Sequence, residues 1–192
     1  MFIRTESGTT SYRLSASIVF AAIALSTATN IAFSQALPNP YRAVDGWAQL
    51  PGGREMGAVG GVTMDSDGQH VWAVIRCDAT APERFGNECL DSDLDSVIKF
   101  DLGGKVVESF GGGMFIWPHG IFVDQAGNVW VTDAIAEPRR PAGDNRGHIV
   151  VKFSPEGEVL MTLGEAGVAG NDDSHFNAPS DVVVGDDGSI FI

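Results

Sequence analysis

The chain has 192 residues, 44% of them hydrophobic, which suffices for one well-buried core. With 25 Asp and Glu against 12 Lys and Arg, its formal charge is −13. That balance argues against nucleic acid and anionic lipid as partners, since both demand cationic patches, and it suits an exported protein or a binder of divalent cations.

At the N-terminus, Arg4 and Arg13 lead into an apolar stretch with no charged residue before Arg42, and residues 34–36 read Ser-Gln-Ala. A basic start, an apolar run and small residues before the cleavage point predict a signal peptide over 1–36 and an exported chain, periplasmic or extracellular. An uncleaved anchor is the alternative, because the run approaches the ~20 residues that span a bilayer. Residues 37–59, rich in Pro and Gly, read as an irregular lead-in.

From residue 60 onward the pattern is almost entirely strand. Apolar runs at 61–65 and 70–76 flank a Ser-Asp-Gly turn, and those at 96–101 and 105–110 flank Leu-Gly-Gly. The plan then repeats: 120–124 and 128–134 flank Gln-Ala-Gly, and 148–154 and 158–164 flank Pro-Glu-Gly. A phrase at 115–133, FIWPHGIFVDQAGNVWVTD, returns at 176–192 as FNAPSDVVVGDDGSIFI, with a fainter copy at 60–75. Their turns align at Asp65, Asp124 and Gly185, 59 and 61 residues apart.

Recurring units of four antiparallel strands predict an all-β fold, a truncated β-propeller over 60–192, with about two and a half blades of a ring of about six. An ordinary β-sandwich is the alternative. The close match of VIKFD-LGG-KVVESFG with VVKFS-PEG-EVLMTLG favours repeats. The last copy stops inside a strand, so the chain is expected to be the front part of a longer protein. Two inserts, 77–95 and 135–147, both fall between the second and third strands of their blades, hence on one face of the ring. The first carries the two cysteines, Cys77 and Cys89, which in an oxidising compartment are expected to form a disulfide.

The Gly-Asn-Val-Trp-Val-Thr-Asp strand at 127–133, the Lys-Phe-Ser-Pro-Glu-Gly turn at 152–157 and Phe-Asn-Ala-Pro-Ser-Asp-Val at 176–182 resemble NHL-repeat propellers. Trp-Pro-His-Gly at 117–120, followed by Asn-Val-Trp-Val-Thr-Asp, resembles the peptidyl-α-hydroxyglycine α-amidating lyases and their bacterial relatives. The resemblance covers residues 60–192. It implies a lyase that splits a C-terminal α-hydroxyglycine into a peptide amide and glyoxylate, with a peptide-like substrate. It also implies a zinc held by three histidines in Pro-His contexts, of which only His119 stands in this sequence. Arg76 matches the arginine that binds substrate and stabilises charge. A calcium is implied at the backbone carbonyls of Val62 and Ile121. The family's catalytic tyrosine and its other two histidines have no counterpart in the 192 residues, which alone are therefore expected to be inactive. Where the lyases carry a cysteine before the third blade's first strand, this chain has Asn177, so its cysteine pairing departs from the family's.

Taken on their own, these residues also have plainer readings. His119 can simply bond a neighbouring backbone, and Arg76 can pair with Asp78 at the surface. His70, His148 and His175 have no ligand spacing and read as structural or exposed. Asp133 and Asp181 are expected to tie loops through backbone N–H groups. The run Asp91, Asp93, Asp95 lacks the Gly and Glu of a calcium loop and reads as solvated. A non-catalytic propeller whose inserts bind a protein, peptide or glycan is the competing function, and fold alone does not decide.

Overall fold

A computed structural model describes residues 39–77 and 88–192; the signal peptide expected over 1–36 and Asp78 lie outside the described residues. The chain forms two compact units, Met1–Ala43 and Val44–Ile192. Of the first, residues 39–43 are described and are exposed, without regular structure.

The second unit is all-β, its one helical element among the described residues being a short 3-10 turn at Pro51–Gly53. Strands β1 (Val59–Met64), β2 (His70–Ile75), β3 (Val97–Asp101) and β4 (Val106–Phe110) form one antiparallel sheet in chain order. Strands β5 (Pro118–Val123), β6 (Val129–Asp133), β7 (Ile149–Phe153) and β8 (Val159–Leu163) form a second with the same order. A third pair, β9 (Val183–Val184) and β10 (Ile190–Phe191), begins the next unit. Every predicted strand is present. The sheets are consecutive propeller blades.

The turns explain why the strands pair where they do. At Asp101, Asp124 and Ser154 the residue's carbonyl accepts the N–H of a glycine three positions on, and that glycine takes positive φ: Gly104 (83°), Gly127 (82°) and Gly157 (88°). This is a type I turn followed by a left-handed bulge residue, a geometry that glycine adopts at no steric cost.

The two four-stranded sheets bury both faces, since alternate residues of a strand point to opposite sides. Trp72, Val74, Val97 and Phe110 of the first sheet meet Val129, Val131, Val151 and Phe153 of the second in one core. Phe110 bridges the blades, its ring 5.5 Å from Trp72 and 5.0 Å from Phe153. On the first sheet's other face, Ala73, Ile75, Ile98 and Phe100 are covered by Trp47, Leu50 and Met56 of the lead-in. The lead-in is thus irregular in backbone but integral to the core. Trp130 and Val150 pack against Val182 and Phe176 of the third unit.

A repeated polar cluster pins each complete blade. Asp65 accepts from Trp72 Nε1 at 2.7 Å and pairs with Lys99 Nζ at 2.7 Å. Asp124 accepts from Trp130 Nε1 at 3.0 Å and pairs with Lys152 Nζ at 3.3 Å. At the matching places the third unit has Gly185 and Phe191, which cannot make these contacts.

The first strands converge. A Cβ added to Gly60 of β1 would lie 2.5 Å from the His119 carbonyl oxygen of β5, and one added to Gly120 would lie 2.7 Å from Asp181 Cα. Only glycine permits approach this close. The described parts of the two inserts touch. Arg146 of the second pairs with Asp144 and donates from Nη2 to the Leu90 carbonyl of the first at 2.8 Å.

Candidate functional site

Asp133, fully buried at the end of β6, accepts the N–H groups of Ile116 and Trp117, each at 2.8 Å. Burial pushes its carboxyl above the ordinary value, against the pull of those donors. This bond pair fixes the corner from which Trp117, Pro118 and His119 enter β5, and bears out the tying role read for Asp133. Asp181 does less, accepting only its neighbour's N–H, from Val182 at 2.9 Å.

Arg76 leaves the end of β2 toward that corner. Its guanidinium carbon stands 3.9 Å from the centroid of the Trp117 ring, and its Nε reaches the Pro118 carbonyl at 3.5 Å. Arg139, from the second insert, approaches the same ring at 5.6 Å. Burial lowers the Arg76 pKa, and the like charge of Arg139 lowers it further. Arg76, partly buried, and Arg139, exposed, share the one indole, and two guanidinium groups so placed suit an anion such as a carboxylate.

His119 is half-buried, and its Nδ1 lies 2.8 Å from the Ser180 carbonyl. A carbonyl only accepts, so Nδ1 carries a proton, and in a neutral ring the lone pair is then on Nε2. The backbone-bonding role read for this histidine is therefore real, and it leaves Nε2 available as a ligand or base.

Val62 is 65% exposed on β1 and Ile121 7% exposed on β5, and the two strands adjoin at Gly61, where a Cβ would sit 3.2 Å from Ile121 Cγ2. Among the described residues no three His, Cys, Asp or Glu side chains converge as a metal site. His119 is thus one donor among them, where a catalytic zinc takes about three protein ligands. His70 bonds Asp67 at 2.6 Å, and His175 bonds Asp172 at 2.8 Å and Glu165 at 3.2 Å, both as surface groups. Asp95 of the acidic run is engaged, accepting from Ser109 Oγ at 2.7 Å. Cys77 and Cys89 are bonded and buried. Sequence reasoning missed Trp117 and Arg139 as a pair, although both lay in segments it had marked.

No protein-family model matches the chain. Curated proteins do. The chain is 32% identical over 146 residues to a probable peptidyl-α-hydroxyglycine α-amidating lyase of Caenorhabditis elegans, covering 72% of this chain and 39% of that protein. It is 31% identical over 139 residues to the peptidylglycine α-amidating monooxygenase of Rattus norvegicus, covering 67% of this chain and 13% of that one. The chain is a homologue of the peptidyl-α-hydroxyglycine α-amidating lyases. A lyase of the same description from Drosophila melanogaster is 36% identical over 92 residues, covering 46% of this chain and 15% of that protein. The chain spans less than half the length of each of these amidating-enzyme relatives.

Proposed function

We propose that this chain forms part of an exported peptidyl-α-hydroxyglycine α-amidating lyase and contributes one wall of its active site. The observation that carries the reading is the meeting of Arg76, Trp117 and His119 at the start of β5, with Arg76 Nε on the Pro118 carbonyl beside the histidine. The substrate ends in a carboxylate, and Arg76 would present N–H donors to it, with Trp117 keeping its charge from full hydration and Arg139 adding positive charge from the exposed side. In the reaction the carbinol Cα–N bond breaks, the hydroxyl loses a proton and the amide nitrogen gains one. The products are peptide amide and glyoxylate, and no oxidant is consumed. Arg76 would stabilise the negative charge that grows on the hydroxyl side, and His119 Nε2 would serve as one ligand of a metal completed by residues outside the described set. The buried Cys77–Cys89 bond and the signal-like residues 1–36 support an oxidising compartment.

The test is release of glyoxylate from a peptidyl-α-hydroxyglycine. A polypeptide of the relatives' length containing this chain is expected to turn over, with activity abolished in His119→Ala and lowered about tenfold or more in Arg76→Met. The 192 residues alone, loaded with zinc, are expected to release none above zinc itself. Absence of turnover in the long form would favour a non-catalytic binding propeller and overturn the proposal.

A further inference from the structure

His148 is a histidine that the catalytic reading leaves unused. It is fully buried, and its backbone sits at φ 60°, a left-handed conformation that a residue with a Cβ adopts only when its surroundings enforce it. Its Nδ1 lies 3.1 Å from the backbone nitrogen of Ala178, itself at φ 55°. A backbone N–H only donates, so His148 Nδ1 accepts, and a neutral ring carries its proton on Nε2. Burial, followed by the charge of Arg140, lowers the pKa of His148, with Glu137 opposing.

Two residues beyond Ala178 lies Ser180, whose carbonyl accepts from His119 Nδ1 at 2.8 Å. The strap between them has little freedom. Phe176 is bonded to Gly170 at 3.0 Å at one end, and at the other Ser180 and Asp181 lie flush against Gly120. We propose that His148 is a positioning residue for His119, acting through residues 178–180 to present the Ser180 carbonyl that sets the orientation and tautomer of the His119 ring. Its importance for catalysis rests on the function proposed above. The positioning itself does not, and it is read without any turnover.

The experiment is nitrogen NMR of the full 192-residue chain labelled at histidine, comparing wild type with His148→Gly and His148→Asn at one pH near 8. Glycine accepts φ 60° but removes the ring; asparagine tolerates that backbone and keeps an acceptor near the Nδ1 position. Wild type is expected to show His119 protonated on Nδ1 and His148 on Nε2. His148→Gly is expected to lose the single Nδ1–H form of His119, and His148→Asn to restore it. A folded His148→Gly with His119 unchanged, or loss in both variants alike, would overturn the proposal. Should the glycine variant not fold, a wild-type His148 protonated on Nδ1 would overturn it, and one protonated on Nε2 would support it. Failure of the lyase assay with these spectra as expected would count against the function and not against this positioning.

Discussion

Asp124 shows how much one carboxylate can depend on its neighbours. Burial raises its pKa, but hydrogen bonds from Asn128, Trp130 and Lys152 outweigh that and bring it down to about 2. A folded-state value below the ordinary one means stabilisation that is fully present above the unfolded value, near 4, and lost as pH falls toward 2. Asp124→Asn is therefore expected to cost about 1–3 kcal/mol at neutral pH, because Lys152 loses its partner while Trp130 keeps an acceptor. Urea unfolding should also show a weaker loss of stability between pH 4 and 2 in the variant than in wild type. Equal curves would remove the cluster from the account. The sequence marked Asp124 as a turn residue only; its partners lie six and 28 positions away and become visible once β6 and β7 are paired.

Among the elements, the strands were the most legible, because alternating Val, Ile, Phe and Trp between Gly-containing turns leaves few other structures open. The lead-in was less so. Trp47, Leu50 and Met56 cover the first blade through side chains and a single bridge at Gln49, a packing with no periodicity to read. Within the site, Arg76 and His119 were reached through family resemblance. The approach of Arg139 to Trp117 depends on how a long insert folds back, which local pattern does not encode. The glycines of the first strands were equally silent until β1 and β5 were seen to converge. Gly60→Ala should place a methyl into the His119 carbonyl, 2.5 Å away, and so cost about 1–3 kcal/mol and disturb the His119 resonances. Gly68→Ala, in open space but at φ 66°, should strain only its own turn and leave those resonances in place. Identical behaviour of the two variants would contradict the convergence.

For the whole molecule, the disulfide and the proposed anion site decide most. Replacing Cys77 and Cys89 with serine is expected to lower stability by about 3 kcal/mol on a chain-entropy account of the 12-residue separation; an unchanged denaturation midpoint would show that the bond is dispensable. The proposed function has Arg76, Trp117 and Arg139 together receive the carboxylate of the reacting group. Its most direct measurement is calorimetric titration of the 192-residue chain with glyoxylate. Saturable binding is expected, about tenfold weaker in Arg76→Met and again in Arg139→Met, and weakening with salt. Binding that is equally strong in wild type and both variants, or none in wild type, would contradict it.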